Sequence, residues 1–266
     1  MLKLNKDSVV GTFVIITGFC LVCSVLVSSA VVALSPFQEA AVATDRQVKI
    51  LNVAGIDVAS NKVAQTYQAR IEAKLLNVDS GKFVSDSSLD ADSFNFQSLA
   101  KDPAYNEQIP AEIDSAKIRV RTKLMPVFIA KDESGAVERY ILPFYGQGLW
   151  STMYGYIAVA PDGNTIKGIT FYSHGETPGL GGEIDNPRWQ AFWLDKKIFR
   201  EDGSRGLHIT KTPDHQGAGK DYDIDTISGA TLTARGVDNA ALYWLNVAYK
   251  PFFDNIRNGG DLNEWY

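Results

Sequence analysis

The sequence predicts an α+β protein: a single N-terminal transmembrane helix followed by a soluble domain of antiparallel hairpins and packed helices. Three observations carry that prediction. No charged residue occurs from Ser8 to Gln38. Two pairs of apolar, β-branched and aromatic stretches are joined by the turn-forming segments "KDESG" and "PDGN". Apolar residues recur at helical spacing both before and after those pairs.

The first element is "VVGTFVIITGFCLVCSVLVSSAVVAL", Val9 to Leu34. It exceeds the roughly 20 residues that cross about 30 Å of hydrocarbon. Ser28-Ser29-Ala30 offers a rival reading as the cleavage site of a secretory signal. The apolar run is longer than the ~7–15 residues of a signal core, so a retained anchor over residues 1–35 is expected. Lys3 and Lys6 precede it, and Arg46 and Lys49 follow. That balance mildly favours an amino terminus inside and the rest of the chain outside the cytoplasm. Cys20 and Cys23 are the only cysteines, and their spacing puts both on one helix face. They read as small apolar packing residues, with a metal or cluster pair shared with another subunit as the alternative.

Pro36 is expected to close the span. A helix then runs to Gly55, and a second from about Ser60 to Leu76, with Val63, Tyr67, Ile71 and Leu75 on one face. Residues 77–115 are rich in Asp, Ser and Asn and read as irregular. Residues 36–115 thus form a helical and irregular linking region, and residues 116–266 the main domain. That domain opens with "KIRVRTKLMPVFIA" and "AVERYILPFYG" around the first turn, then "YGYIAVA" and "TIKGITFY" around the second. A Gly-rich loop, a short helix near Pro187 to Leu194 and an extended "GLHITKT" follow. The last helix begins near Ala230, with Val237, Ala241, Trp244 and Ala248 on one face.

The chain has 266 residues and a formal net charge of −5, without a Lys/Arg cluster. This argues against nucleic acid as a partner. Two cysteines in one apolar run exclude a disulfide framework and a Cys-rich zinc site. His174, His208 and His215 show no triad context, and Pro213 separates the last two, which argues against a shared metal.

Two segments stand out for chemistry. "SHGETPGLGGEI", Ser173 to Ile184, follows directly on a strand, and its glycines let the backbone approach a flat or anionic ligand. "DTISGATLTARG", Asp225 to Gly236, crowds hydroxyls where the last helix starts. Ser228, Gly229 and Ala230 leave that helix end uncluttered, which suits a phosphate. Simple capping by Ser or Thr is the bland alternative, and a hydrolase nucleophile at Ser228 or Thr231 a further one.

"DTISGAT" resembles the D-x-x-[ST]-G-A-[ST] signature of domains that carry covalently attached FMN. The stretch from Cys20 to Gly55, together with "GQGLW", "ETPGLG" and "YWLNVAYKPFFDNIRNGG", is similar to the C subunits of the Na⁺-translocating NADH:quinone oxidoreductase. The G subunit of the Rnf electron-transport complex shares the flavin motif and is the nearest alternative within the family. A membrane-anchored binding or assembly module without redox chemistry is the alternative outside it. The resemblance implies FMN joined to the Thr231 hydroxyl as a phosphoester by a dedicated flavin transferase. Asp225 would serve recognition or metal positioning during attachment. The resemblance implies an electron-carrying subunit in the inner membrane, its soluble domain periplasmic, working with the B subunit and the membrane D and E subunits. For the ring, Trp150 and Leu180 are candidate faces, and Glu176, Thr177, Gly179 and Gly181 candidate edge contacts. Lys211 or Lys220 would offer a cation to the reduced flavin. Cys20 and Cys23 would be neighbours of a membrane redox centre.

Overall fold

The structure, a computed structural model, describes residues 8–84 and 89–263. Lys3 and Lys6 lie outside the described residues. The chain divides into two compact units, Met1–Arg46 and Gln47–Tyr266.

The first unit is helical. Helix α1 runs Val9–Val53, and its Val9–Ser35 portion is long and apolar enough to cross a membrane. The expected stop at Pro36 does not occur. A proline deletes one N–H from the helical ladder, and here the helix continues past that loss. It ends before Gly55, whose φ is +72°, as a left-handed glycine ends a helix.

In the second unit, the segment expected as one helix to Leu76 divides. Helix α2 covers Val63–Arg70, and strand β1 is Ile71–Asn77. A spacing of four satisfies both a helix face and a strand face, so Ile71 and Leu75 are compatible with either. The partner decides: β1 pairs residue for residue with β5 (Leu124–Lys131), from Ile71 opposite Ala130 to Asn77 opposite Leu124. The stretch between them holds strand β2 (Lys82–Val84), the short helix α3 (Phe96–Leu99), and strands β3 (Asn106–Gln108) and β4 (Val120–Thr122). Residues 36–115 therefore supply two strands of the main sheet as well as connections.

The predicted hairpins form. Strand β6 (Val137–Gln147) pairs antiparallel with β5 and with β7 (Thr152–Val159), and β7 pairs with β8 (Ile166–Ser173). The sheet has six strands in the order β2-β1-β5-β6-β7-β8. Side chains alternate between two cores, as the strand period of two requires. Ile129, Leu142, Phe144 and Ile157 point into one; Phe128, Ile141, Tyr156 and Ala158 point into the other. Burial on both faces explains why β6 reads as an almost unbroken apolar run. The second core is covered by Ile50, Leu51, Val53 and Ala54 and by Val63 and Tyr67 of α2.

The first core is covered by the C-terminal elements. After β8 come helix α4 (Pro187–Gln190) and the parallel pair β9 (His208–Thr210) and β10 (Asp223–Asp225). Helix α5 (Thr231–Tyr243) continues through a π-helical turn, Trp244–Ala248, into α6 (Lys250–Arg257). The expected stripe of Val237, Ala241, Trp244 and Ala248 is buried throughout. The Trp244 indole N–H donates to the Tyr145 carbonyl at 2.7 Å, tying this stripe to β6. A Cβ on Gly146 would lie 2.7 Å from the Ala240 Cβ, and one on Gly236 2.6 Å from the Gln147 carbonyl oxygen. Glycines therefore let α5 lie directly against the end of β6, and this contact places the start of α5 beside the turn that follows β6.

Candidate functional site

Three segments, far apart in sequence, meet at one depression of about 270 Å³. Leu149 and Trp150 come from the turn between β6 and β7. Glu176, Thr177, Leu180 and Gly181 come from the loop after β8. Gly229 to Thr233 come from the start of α5. Ser228 and Gly179 stand beside this lining and are not part of it. Lys211 and Lys220 are exposed and do not line it. A larger depression of about 580 Å³ lies elsewhere, against Lys49, Arg139 and Lys167. Two of its cations are engaged: Lys167 pairs with Asp195 at 2.7 Å, and Arg139 donates to the Val53 and Lys167 carbonyls. None of the flavin-type motif residues lines it.

The start of α5 is open. Its N-cap is Ala230 in a non-helical conformation (φ −128°, ψ 44°), and no side chain caps it. The bland reading of the hydroxyl crowd as a capping device is therefore not realised. Helix N–H groups left without a cap carry the positive end of the helix dipole, which favours an anion. Gly229 supplies the left-handed step into this end at φ +76°, and a Cβ there would already be 3.4 Å from Leu180 Cδ2. Thr231 is half-buried and lines the depression. Asp225 is anchored through its backbone: its carbonyl accepts from the Trp189 indole N–H at 2.8 Å.

The walls are apolar and open to solvent. Trp150 is 69% exposed, Leu232 55%, Leu180 48% and Leu149 46%. Beneath them sits one acid. Glu176 is buried. Its carboxylate accepts from the Trp150 N–H at 3.0 Å and from the Thr233 hydroxyl. Burial pushes the Glu176 carboxyl up, but the Thr233 hydroxyl and the N–H groups of Trp150, Leu149 and Ser151 outweigh that and hold it below the usual carboxylate range. The acid therefore stays ionised and clamps turn, loop and helix together, which commits its oxygens to protein donors.

Each histidine sits against an aspartate. His174 Nε2 is 2.8 Å from Asp185, and its Nδ1 accepts from the Glu176 N–H, so the ring braces the loop. His208 lies 3.3 Å from Asp223 and His215 3.1 Å from Asp225. Among the described residues none of the three is hydrogen-bonded to Ser228 or Thr231, the contact through which a base would activate a hydrolase nucleophile. Among the described residues no group of three or more His, Cys, Asp and Glu could hold a metal ion. Cys20 and Cys23 are free thiols.

Sequence reasoning missed Leu149, Leu232 and Thr233. Two of them carried a signal. Leu232 is an apolar residue off the Val237–Ala241–Trp244 stripe, so a helix reading alone leaves it facing solvent. Thr233 stands one turn before Val237 on the buried face, where a hydroxyl needs a partner.

The residues fit a flavin mononucleotide. The depression joins an attachable hydroxyl, an uncapped helix start and exposed aromatic and aliphatic walls. Comparisons with known proteins agree. Residues 148–246 match the FMN-binding domain family, a stretch that contains all three segments. The chain is 41% identical over 259 residues to the C subunit of the Na(+)-translocating NADH-quinone reductase of Neisseria meningitidis serogroup B, covering 97% of this chain and 98% of that one. It is 44% identical over 258 residues to the protein of the same name from Haemophilus ducreyi, covering 97% and 98%. The crystal structure of Shewanella oneidensis NqrC superposes with a TM-score of 0.75 at 33% identity, over 82% of this chain and 99% of that one. The crystal structure of the corresponding C subunit from Parabacteroides distasonis superposes with a TM-score of 0.65 at 31% identity, over 83% and 96%.

Proposed function

The chain belongs to the family of C subunits of Na(+)-translocating NADH-quinone reductases, and from that premise we propose that it is an electron relay built around FMN esterified to Thr231. Membership makes it a component of that reductase with an FMN-binding domain. The observation that carries the finer reading is the uncapped start of α5, which holds Thr231 in one depression with Trp150 and Leu180.

When bound, FMN supplies the redox chemistry; this chain supplies position and surroundings. A flavin transferase would join Thr231 Oγ1 to the FMN phosphorus: the hydroxyl gives up its proton, and the pyrophosphate bond of a flavin dinucleotide donor breaks and releases a nucleoside monophosphate. The first-turn N–H groups of α5 would steady the phosphate's negative charge. Gly229 and Ala230 leave room for the phosphate and for the modifying enzyme. Trp150, Leu149, Leu180 and Leu232 would shield faces of the ring while the mouth of the depression stays open to a partner. A tether makes such an open site workable, since the cofactor cannot diffuse away. Exchange with the flavin of the B subunit, and with centres held by the D and E subunits, would pass through that opening. The Val9–Ser35 helix would anchor the chain in the inner membrane, with the remainder on the periplasmic side.

Mass spectrometry of protein produced with the transferase tests this. The peptide containing Thr231 should carry the mass of FMN, and a denaturing gel should show a fluorescent band. Thr231→Ala should abolish both and stop quinone reduction by the assembled complex, while Thr231→Ser should retain the ester. Covalent flavin persisting in Thr231→Ala would refute the attachment site. A colourless native protein would leave only an anchored binding module.

A further inference from the structure

Glu176 touches every segment of the site, yet holding them together does not require an acid. Its residue is 5% exposed. One carboxylate oxygen takes the Trp150 N–H at 3.0 Å, and the other takes the Thr233 hydroxyl. Two motif glycines make room for it. A Cβ on Gly148 would fall 2.5 Å from Oε1, and one on Gly181 2.8 Å from Oε2. Both of its hydrogen-bond donors are neutral, the Trp150 N–H and the Thr233 hydroxyl. The charge is thus held in place by dipoles, and among the described residues no cation forms an ion pair with it.

A glutamine could do the mechanical part. Its carbonyl would accept from Trp150, and its amide would donate to Thr233, whose hydroxyl can turn its proton away. What glutamine cannot supply is a fixed negative charge beneath the wall of the depression, where Coulomb forces are screened less than in water. We propose that Glu176 is a positioning residue that also lowers the reduction potential of the flavin on Thr231, its charge opposing each electron added to the ring. This rests on the flavin reading above.

Spectroelectrochemical titration of the full-length, detergent-solubilised, flavinylated protein tests it. Glu176→Gln should keep covalent flavin and titrate at a more positive midpoint. At the wild-type midpoint its reduced-to-oxidised ratio should rise roughly tenfold, the order that one unit charge produces across a site of effective dielectric about 20. Thr233→Val, which removes the hydroxyl clamp and keeps the charge, should not move the potential upward. Equal midpoints for wild type and a flavinylated Glu176→Gln would overturn the inference, as would an equal upward shift in Thr233→Val. Should Glu176→Gln fail to fold, redox-difference infrared spectra of wild type with ¹³C-labelled glutamate decide. An ionised glutamate band that shifts on reduction supports the assignment; no such change overturns it. Bare Thr231 in wild-type protein refutes the proposed function itself, is seen in the mass spectrum before any titration, and takes this inference with it.

Discussion

Large apolar side chains face outward in two regions of this chain, on different terms. Along α1 they do so continuously: Phe13 is 69% exposed, Phe19 70% and Val32 72%. In the Gln47–Tyr266 unit most are buried, and four of the exceptions, Leu149, Trp150, Leu180 and Leu232, ring one depression. The first region is an unbroken run with no preferred side, which suits lipid. The second draws on three separate segments and has one direction, which suits a flat ligand and a partner. Exposed apolar surface is therefore informative here by its layout rather than its amount.

Truncation gives the largest expected contrast. Protein lacking residues 1–35 should leave the membrane fraction and remain soluble without detergent, with its circular dichroism otherwise intact. Retention in the bilayer would show that surface beyond the Val9–Ser35 span also binds lipid.

The next contrast sets two tryptophans against each other. Trp244 is fully buried and hydrogen-bonded, whereas Trp150 is 69% exposed. Trp244→Ala should cost ~3–5 kcal/mol in denaturant unfolding. Trp150→Ala should change stability by no more than about 0.5 kcal/mol, but should alter the fluorescence of the bound flavin. Equal destabilisation by both would mean that Trp150 packs as a core residue.

Gly181→Ala probes the clamp beneath the wall. Its Cβ would lie 2.5 Å from Thr233 Oγ1, so a loss of ~1–3 kcal/mol is expected from overpacking. Gly179→Ala is a useful comparison, because no atom lies within 4 Å of a Cβ there and only the φ of +74° opposes it.

The smallest effect is in pH. Hydrogen bonds hold the Glu176 carboxyl below its ordinary range. A depressed folded-state value stabilises above the unfolded pKa of about 4.3, and the contribution is lost as pH falls through the folded value. Unfolding midpoints should therefore fall slightly more steeply for wild type than for Glu176→Gln between about pH 5 and about pH 3. Parallel curves would mean that the acid gains nothing from its donors.

Much of the fold is legible because its signals are local. Uncharged length marks α1, Asp-Gly and its neighbours mark the β7–β8 turn, and the stripe from Val237 to Ala248 marks the last helices. Errors come where a local signal has two solutions. Ile71 and Leu75 fit a helix face and a strand face equally, and only the full register with β5 makes β1 a strand. Pro36 reads as a stop, yet α1 runs through it. In the site, "DTISGAT" alone singles out Thr231, the residue proposed for attachment, and the structure places it in the lining of the depression. The role of Glu176 is not, because its donors are Trp150, before it in the chain, and Thr233, 57 residues after it.

By itself the sequence determined the α+β class and the membrane-length helix, and it singled out Thr231 as the residue proposed for cofactor attachment, since each depends on neighbours along the chain. Tertiary structure alone decided that β1 joins the sheet, that the hydroxyls leave α5 uncapped, and that one buried acid binds three segments into a site. Those outcomes depend on what lies across space. Contacts between distant residues form only when burying the cores outweighs the entropy of closing the intervening loops, and no short stretch of sequence carries that balance.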